Sequence, residues 1–339
     1  MRTSTAIALS KPAWNGLKTR APRSPPPDQL EETLFIINPA SARGTTLRSW
    51  TESKPELESL GVKFSERVTT EAGEATEIAR RALGSGTIRI VAVGGDGTLS
   101  EVVNGYFDSE GAAINPMAVI GLLPSGTGSD FRRSIQINSN WNAIAAIAAG
   151  KSRLIDAVRA TTTTEEGASV TRHFINVATF GLGGDASAFV NGWRGRLPKW
   201  VGGRVRFIAA ALRALDRYRL RPVEVQLDDR LPKKITSNLV VIANGRFAGG
   251  GMMLAPHAEL DDGLLDVILT DGATRFDVIK ELPRIGRGGH LKNPKVTEMR
   301  ARQVSITSDE PMAIDIDGEM AGYTPSRMTV LPSAVRFII

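Results

Sequence analysis

The sequence predicts an α/β domain followed by a mainly antiparallel β domain into which one basic helix is inserted. Up to about residue 150, apolar runs of strand length alternate with helical patterns, as expected for βαβ units around a parallel sheet. After residue 153 the pattern changes to short strand candidates, which lie at residues 174–178, 223–227, 238–243, 264–269 and 303–307. A chain of 339 residues is long enough for two domains of ordinary size.

The most informative segment is a glycine-rich turn between a predicted strand at residues 88–93 and a helix that begins near residue 100. The turn and the first helical positions are Gly94, Gly95, Asp96, Gly97, Thr98, Leu99 and Ser100. Backbone N–H groups and the helix dipole favour an anion at such a junction, and glycine lets a phosphate approach the backbone closely. Asp96 can hold Mg²⁺ or a substrate hydroxyl, and Thr98 can bond a phosphate oxygen. A tight βα turn alone would explain the glycines but not Asp96 and Thr98.

Three other predicted strands end in polar or glycine-containing turns. The candidate residues at these strand ends are Asn38, Pro39 and Ser41, then Thr69, and then Thr127 and Asp130. In an open parallel sheet, ligands bind beyond the carboxyl ends of the strands. We therefore expect these turns to line one nucleotide cleft.

Two clusters of acidic residues lie in the second half of the chain. In the first, a strand pattern leads through Asp315 and Asp317 to Glu319, and period-two alternation would place the two aspartates on one face. An acidic β-turn is the simpler interpretation of this cluster taken alone. The second cluster, at residues 259–266, offers the hard oxygen ligands that Mg²⁺ prefers, and a solvated turn is the alternative there.

Four motifs in this order resemble the bacterial diacylglycerol kinase and lipid kinase family. They are the NPxS turn at residues 38–41, GGDGT at 94–98, PxGTGxD at 124–130 and the DGE sequence at 317–319. GGDGT alone is also typical of NAD kinases and phosphofructokinases, so the combination carries the resemblance. It covers residues 32–339, and the same catalytic domain type occurs in sphingosine and ceramide kinases.

The resemblance implies an ATP- and Mg²⁺-dependent lipid kinase. ATP would lie against Asn38, Pro39, Ser41, Thr69, the turn from Gly94 to Ser100, and Thr127. Glu319 matches the general base for the lipid hydroxyl, Asp317 would support it or bind metal, and Asp96 would complete the catalytic carboxylates. The loop at residues 259–266 resembles a structural magnesium loop of the family, in which Asp262 would give a carboxylate and the positions of Glu259 and Leu264 would give backbone carbonyls. Asp130 is a further metal candidate. Ser100 and Ser129 replace asparagines that are common in the family, and Ala42 replaces a frequent glycine.

The implied fold is a nucleotide-binding α/β domain of the NAD kinase and diacylglycerol kinase type and a β-sandwich domain, with the active site between them. We predict a disordered basic, proline-rich tail at residues 1–31, an ATP-binding domain at 32–152 and a lipid-substrate domain at 153–339. The last strand is a candidate for return to the first domain.

Positive charge is concentrated in two segments of the chain, although the net charge is only +6. The tail is one, and residues 193–221 are the other, with nine basic residues against one acidic residue and interleaved aromatic and aliphatic residues. A basic amphipathic helix of this kind suits an anionic lipid surface, while a packed helix with a solvated arginine face is the alternative. Local rather than general basic character argues against a nucleic-acid-coating protein.

The composition narrows the class of protein further. The chain has no cysteine, which excludes disulfides and thiolate catalysis and is compatible with a reducing cytoplasm. No apolar run reaches the roughly 18 residues of a membrane span, and the tail lacks the apolar core of a secretory signal. We expect a cytoplasmic enzyme of phospholipid biosynthesis that is peripheral at the membrane; the oligomeric state is open, with a homodimer as one candidate.

Two alternatives to a lipid kinase stay open at the level of sequence. An NAD kinase would share the glycine turn but would not need the basic aromatic segment. A catalytically weak, lipid-binding regulatory protein is suggested by Ser100 and Ser129.

Overall fold

The computed structural model describes residues 32–125, 129–192 and 203–339. The predicted tail, Thr127 and the tryptophan-containing start of the basic segment lie outside these residues. The elements of the first part of the chain are β1 (Thr33–Ile37), α1 (Thr46–Ser59), β2 (Phe64–Val68), α2 (Glu74–Gly84), β3 (Arg89–Gly94), α3 (Asp96–Tyr106), β4 (Val119–Pro124), α4 (Phe131–Ser134) and α5 (Asn140–Ala149).

The second part of the chain is mostly strand. Its elements are β5 (Ser152–Thr163), β6 (Ser169–Phe174), β7 (Val177–Gly181), α6 (Leu182–Gly192), α7 (Gly203–Ala214), β8 (Arg221–Leu227), β9 (Lys233–Ser237), β10 (Leu239–Ala243), β11 (Phe247–Ala248), β12 (Met252–Met253), β13 (Leu265–Thr270), α8 (Arg275–Ile285), β14 (Val296–Ala301), β15 (Gln303–Ser308), β16 (Ala313–Ile316) and β17 (Glu319–Ile338). Short 3₁₀ turns lie at Ser41–Gly44, Leu215–Arg217 and Gly289–Lys292.

The first four strands form a parallel sheet in the order β4-β3-β1-β2. Strands β1 and β3 are buried along their whole length, and their sequences are apolar after the first residue of each, Thr33 and Arg89, as is typical of strands covered on both faces. Helix α1 packs with α5, and α2 packs with α3. Phe35, Trp50 and Phe64 stack in the core between sheet and helix, with the rings of Phe35 and Trp50 4.6 Å apart. The carboxyl ends of all four strands consequently meet at one edge.

The later strands pair antiparallel, in the order β14-β13-β10-β7-β16, with β5, β6, β8, β9 and β15 attached beside β17. Strand β17 is 20 residues long and runs antiparallel to β16, β5 and β15. Near its end β17 also has a parallel partner, because Arg336 and Phe337 pair with Val119 and Ile120 of β4. The final strand therefore belongs to the sheets of both halves.

The predicted fold class, α/β followed by β, is confirmed, but one strand prediction is wrong. The apolar run at residues 174–178 is interrupted, since β6 ends at Phe174 and β7 begins at Val177. The carbonyl oxygen of Asn176, between them, accepts hydrogen bonds from the backbone N–H groups of Asn244 and Gly245. Hydrophobicity alone could not reveal a break whose partners lie 68 or more residues away.

Candidate active site

The turn after β1 is closed by its own polar groups. The Asn38 Oδ1 atom accepts a hydrogen bond from the Ala40 N–H at 3.0 Å, and its carbonyl oxygen accepts one from Ser41 Oγ at 3.0 Å. The backbone N–H of Asn38 donates to Val93 of β3, so the turn lies beside the glycine turn. Ser41 Oγ is 3.2 Å from the point where a Cβ on Gly94 would lie. Pro39 occupies the middle of this turn.

The glycine turn after β3 leads directly into α3, which begins at Asp96 rather than near residue 100. A Cβ on Gly94 would lie 2.3 Å from Thr98 Oγ1, so only glycine fits there. Thr98, Leu99 and Ser100 are buried. Thr98 Oγ1 has no hydrogen-bond partner among the described residues. A buried hydroxyl without a partner at a helix N-terminus is what an anion-binding turn would present to a phosphate.

Asp96 fastens this turn to the start of α4. Its carboxylate accepts hydrogen bonds from Ser129 Oγ at 2.8 Å, from the Asp130 N–H at 2.7 Å and from the Phe131 N–H at 3.0 Å. Removal from water raises the pKa of Asp96, and these three donors oppose the rise. Ser129, which replaces an asparagine common in the family, therefore still donates a hydrogen bond to Asp96.

Asp130 connects the first half of the chain to the second. Its Oδ2 atom accepts a hydrogen bond from the Gly250 N–H at 2.7 Å, and its Oδ1 atom lies 3.1 Å from Arg133 Nη1. Burial and the neighbouring Asp96 charge raise the pKa of Asp130 to about 7. Gly250 was missed by the sequence analysis, although the run of three glycines at residues 249–251 was a signal for it.

Asp317 lies in a turn and not in the strand from which its orientation was predicted. Strand β16 ends at Ile316, and Asp317 has a left-handed φ of 52°. Its backbone N–H donates to the Val177 carbonyl, and its Oδ1 atom accepts from the Val177 N–H, both at 3.0 Å. Burial raises the pKa of Asp317 well above its ordinary value, and the charges of Asp96 and Asp315 add to the rise. The alternation expected to align the two aspartates stops before Asp317.

Glu319 reaches the glycine turn from the opposite half of the chain. Its Oε1 atom lies 3.1 Å from the point where a Cβ on Gly97 would be, and its Oε2 atom lies 4.0 Å from Arg172 Nη1. The side chain is 35% exposed, so a substrate group can reach it. Arg172, on β6, was not among the predicted site residues, because nothing in its local sequence connects it with residue 319.

The predicted residues thus fall into one assembled group and one separate group. The assembled group contains Asn38, Ser41, the turn from Gly94 to Ser100, Asp130, Asp317 and Glu319. Thr69 is at the same sheet edge, where its N–H donates to the Ile37 carbonyl of β1. The loop of Glu259, Asp262 and Leu264 is separate and packs near β5 and β14. In the described parts of the chain, no three His, Asp or Glu side chains are arranged to hold a metal ion.

The basic segment is in part a packed helix. In α7, Ala210, Ala211 and Ala214 are buried against α6, whereas Leu212 is 44% exposed. Val278 of helix α8 packs against the apolar cluster that α6 and α7 form. Phe276, on the same helix, has 82% of its surface exposed. None of the described helices combines the length and apolar character that crossing a membrane requires.

A glycine turn on an α/β domain, faced by carboxylates from a β domain, is the arrangement expected of a kinase, that is, a phosphotransferase. The family matches agree: residues 32–160 match the diacylglycerol kinase catalytic domain, and residues 177–339 match the YegS C-terminal NAD kinase beta sandwich-like domain. The predicted β-sandwich character of the second domain is thereby confirmed.

The chain is 30% identical over 294 residues to the diacylglycerol kinase of Staphylococcus carnosus, covering 86% of this chain and 90% of that protein. It is 27% identical over 314 residues to the diacylglycerol kinase of Mycobacterium tuberculosis, covering 91% and 96%. A crystal structure of a putative diacylglycerol kinase from Bacillus anthracis has the same fold, with a TM-score of 0.72 at 23% identity and coverage of 91% and 97%. The chain belongs to the diacylglycerol kinase family.

Proposed function

We propose that this kinase transfers the γ-phosphate of ATP to a hydroxyl of diacylglycerol or a related lipid. The observation that carries the proposal is the position of Glu319, whose Oε1 atom lies 3.1 Å from the Cβ point of Gly97 in the glycine turn. A candidate base beside a candidate phosphate site is the arrangement that phosphoryl transfer to an alcohol needs.

The glycine turn fits the phosphates of ATP. Gly94 leaves no room for a side chain, Thr98 Oγ1 is buried without a described partner, and the first N–H groups of α3 lie at the same place. Asn38 and Ser41 close the cleft from the β1 side. We infer that the nucleotide phosphates take the unpartnered Thr98 hydroxyl as a donor.

Mg²⁺ fits this site as a companion of the nucleotide rather than as a resident ion. Magnesium commonly binds through one or two carboxylates together with substrate phosphates. Asp96, Asp317 and Glu319 supply carboxylates here, and the raised pKa of Asp317 reflects burial and neighbouring negative charge that a cation would relieve. When bound, the ion would offset the charge on the phosphates.

The carboxylates of the site have different proposed roles. On this proposal Glu319 accepts the proton of the lipid hydroxyl on Oε1, while Arg172 faces its other oxygen. Asp96 holds the start of α4 against the glycine turn through Ser129, Asp130 and Phe131. Asp317 ties the turn that carries Glu319 to β7 through Val177.

We further propose that α7 and α8 dock the enzyme on an anionic membrane surface, where its acceptor resides. The exposed apolar side chains on the two helices are Val205, Leu212, Phe276 and Ile279. Basic residues lie on the same helices, including Arg213 and Lys280. Apolar area combined with basic charge is what binds a peripheral protein to anionic lipid. On this proposal the kinase is cytoplasmic and peripheral.

The test is incubation of the purified protein with γ-labelled ATP, Mg²⁺ and mixed micelles that contain one lipid each. The panel includes diacylglycerol, monoacylglycerol, ceramide, sphingosine and phosphatidylglycerol, with NAD as a soluble acceptor. Glu319→Gln should lower the turnover number by about 10²- to 10⁴-fold, because a general base contributes that much. Glu110→Gln, which changes an exposed glutamate, is the matched control and should keep full activity.

The outcomes separate the candidate functions. One labelled lipid that disappears with Glu319→Gln supports the proposal and names the acceptor. Label in NAD alone would replace it with an NAD kinase. ATP binding with no label in any acceptor would favour a lipid-binding regulatory protein.

A further inference from the structure

The acidic loop at residues 259–264 is held by an arginine. Arg300, on β14, places its Nε atom 3.2 Å from Asp266 Oδ1 and its Nη1 atom 3.6 Å from Asp262 Oδ2. Its Nη2 atom also donates a hydrogen bond to the His257 carbonyl at 2.9 Å. One guanidinium therefore joins both sides of the loop.

The rest of the loop is fastened by other protein groups. Arg153 Nη1 lies 3.2 Å from Asp261 Oδ2. The buried Asp156 accepts hydrogen bonds from the N–H groups of Gly263 and Ser333, both at 2.7 Å. Asp156 is on β5 and Ser333 is on β17, and these two strands pair with each other. Through Asp156 the loop is therefore attached to both strands.

The residues present do not fit the structural magnesium ion that the sequence resemblance implies for this loop. One oxygen of Asp262 accepts a hydrogen bond from the Leu264 N–H at 3.0 Å, and the other faces the positive charge of Arg300. Mg²⁺ requires near-octahedral oxygen ligands at about 2.0–2.1 Å, and a guanidinium beside the carboxylate repels it.

We propose that Arg300 takes the place of the structural cation in this chain, so that the loop binds no divalent metal. The positive charge is then part of the polypeptide, and the fastening of the loop does not depend on the concentration of free Mg²⁺. The magnesium ion invoked in the proposed function is a different one, which arrives with the nucleotide. This proposal does not depend on which acceptor the kinase uses.

The experiment uses Mn²⁺ as a spectroscopic probe for divalent-metal binding to the full-length, nucleotide-free protein. Electron paramagnetic resonance counts bound Mn²⁺ in the wild type, in Asp262→Asn and in Glu319→Gln. Thermal unfolding is measured for the same proteins with and without EDTA. We expect Asp262→Asn to bind as much Mn²⁺ as the wild type and EDTA to leave the melting temperature unchanged.

Arginine variants test the other half of the proposal. Arg300→Gln should lower the melting temperature by a few degrees, because Asp266 is buried and loses its partner. Arg302→Gln, which removes charge from an exposed side chain two residues later, should leave it unchanged.

A metal site in the loop would produce the opposite pattern. Bound Mn²⁺ that is lost in Asp262→Asn but kept in Glu319→Gln, together with a lower melting temperature in EDTA, would overturn the proposal. Mn²⁺ that persists in Asp262→Asn lies outside the loop and agrees with it. If Arg300→Gln does not fold, the wild-type and Asp262→Asn comparisons decide by themselves.

Discussion

At the scale of single residues, the glycines of the candidate phosphate turn are not equivalent. A Cβ on Gly94 would collide with Thr98 at 2.3 Å, whereas a Cβ on Gly95 meets nothing within 4 Å. Gly95 has an extended backbone, with φ of −103°, that any residue can adopt. Gly94 is thus required by the packing of the free protein, whereas no contact among the described residues requires glycine at position 95.

This difference predicts opposite effects for two matched variants. Gly94→Ala should destabilise the free protein by about 1–3 kcal/mol, the typical cost of overpacking, as measured by urea unfolding. Gly95→Ala should leave unfolding unchanged but raise the KM for ATP, because the new methyl group projects into the open space of the turn. Equal unfolding midpoints for the two variants would contradict this assignment.

Buried carboxyl groups predict how stability changes with pH. Burial raises the pKa of Asp315 to about 7, above its ordinary value of 3.8, so the folded protein keeps a proton that the unfolded chain has lost. Stability contributed by this group is therefore full below about pH 4 and is lost as the pH rises to about 7.

Asp315→Asn removes this titration. In thermal unfolding between pH 4 and 8, the melting temperature of the variant relative to the wild type should increase as the pH rises. Asp229→Asn, at an exposed turn, is the control and should show no such trend. A constant difference between Asp315→Asn and the wild type across the range would refute the expectation.

At the scale of secondary-structure elements, β17 has the largest structural role. It pairs with strands of both halves, and its Phe337 is buried against Phe131 with ring centroids 5.1 Å apart. A strand at the end of the chain therefore completes the sheet of the first domain. Stability of the ATP-binding half should depend on it.

Truncation of Phe337 tests this dependence. Phe337→Ala should cost about 3–5 kcal/mol in the free energy of unfolding, as expected for loss of a buried aromatic ring. Ile339→Ala, one residue past the end of β17 and 41% exposed, should have little effect. The measurement is urea denaturation, and similar midpoints for the two variants would show that the packing of the Phe337 ring at the end of β17 is dispensable.

At the scale of the whole molecule, the docking proposal concerns α7 and α8, which carry both exposed apolar side chains and basic residues. Phe276, with 82% of its surface exposed, is the largest of the exposed apolar side chains described on these two helices. Covering such a side chain with an apolar partner removes its surface from water, which is favourable.

Vesicle binding tests the docking face. Phe276→Ser should weaken sedimentation with anionic vesicles about tenfold or more, since insertion of a phenyl group is worth roughly 1.5–3 kcal/mol. Trp141→Ser, which removes a 56%-exposed aromatic ring from α5, is the control and should bind normally. Replacing Arg204, Arg206 and Arg213 with Glu should abolish binding, and normal sedimentation of that protein would refute the docking proposal.

The sequence by itself determined the α/β-then-β order of the chain and the family to which it belongs. These conclusions depend on local signals. The signals are apolar runs of strand length and short glycine-containing motifs, which can be recognised from a few neighbouring residues. Glu319 and Asp96 were identified as candidates in this way. Their proximity in space followed only from the family resemblance and not from any local signal, because 223 residues separate them.

The tertiary structure decided which distant groups meet. It placed Arg172 beside Glu319, Gly250 on Asp130 and Arg300 on the acidic loop, none of which has a signature in its local sequence. It also showed that the strand after residue 174 is broken and that Asp317 lies in a turn. Contacts of this kind form only when strands that are far apart in the sequence are brought together in the sheet. A charge or a hydrogen bond acts through space, so it leaves no periodic pattern in the sequence.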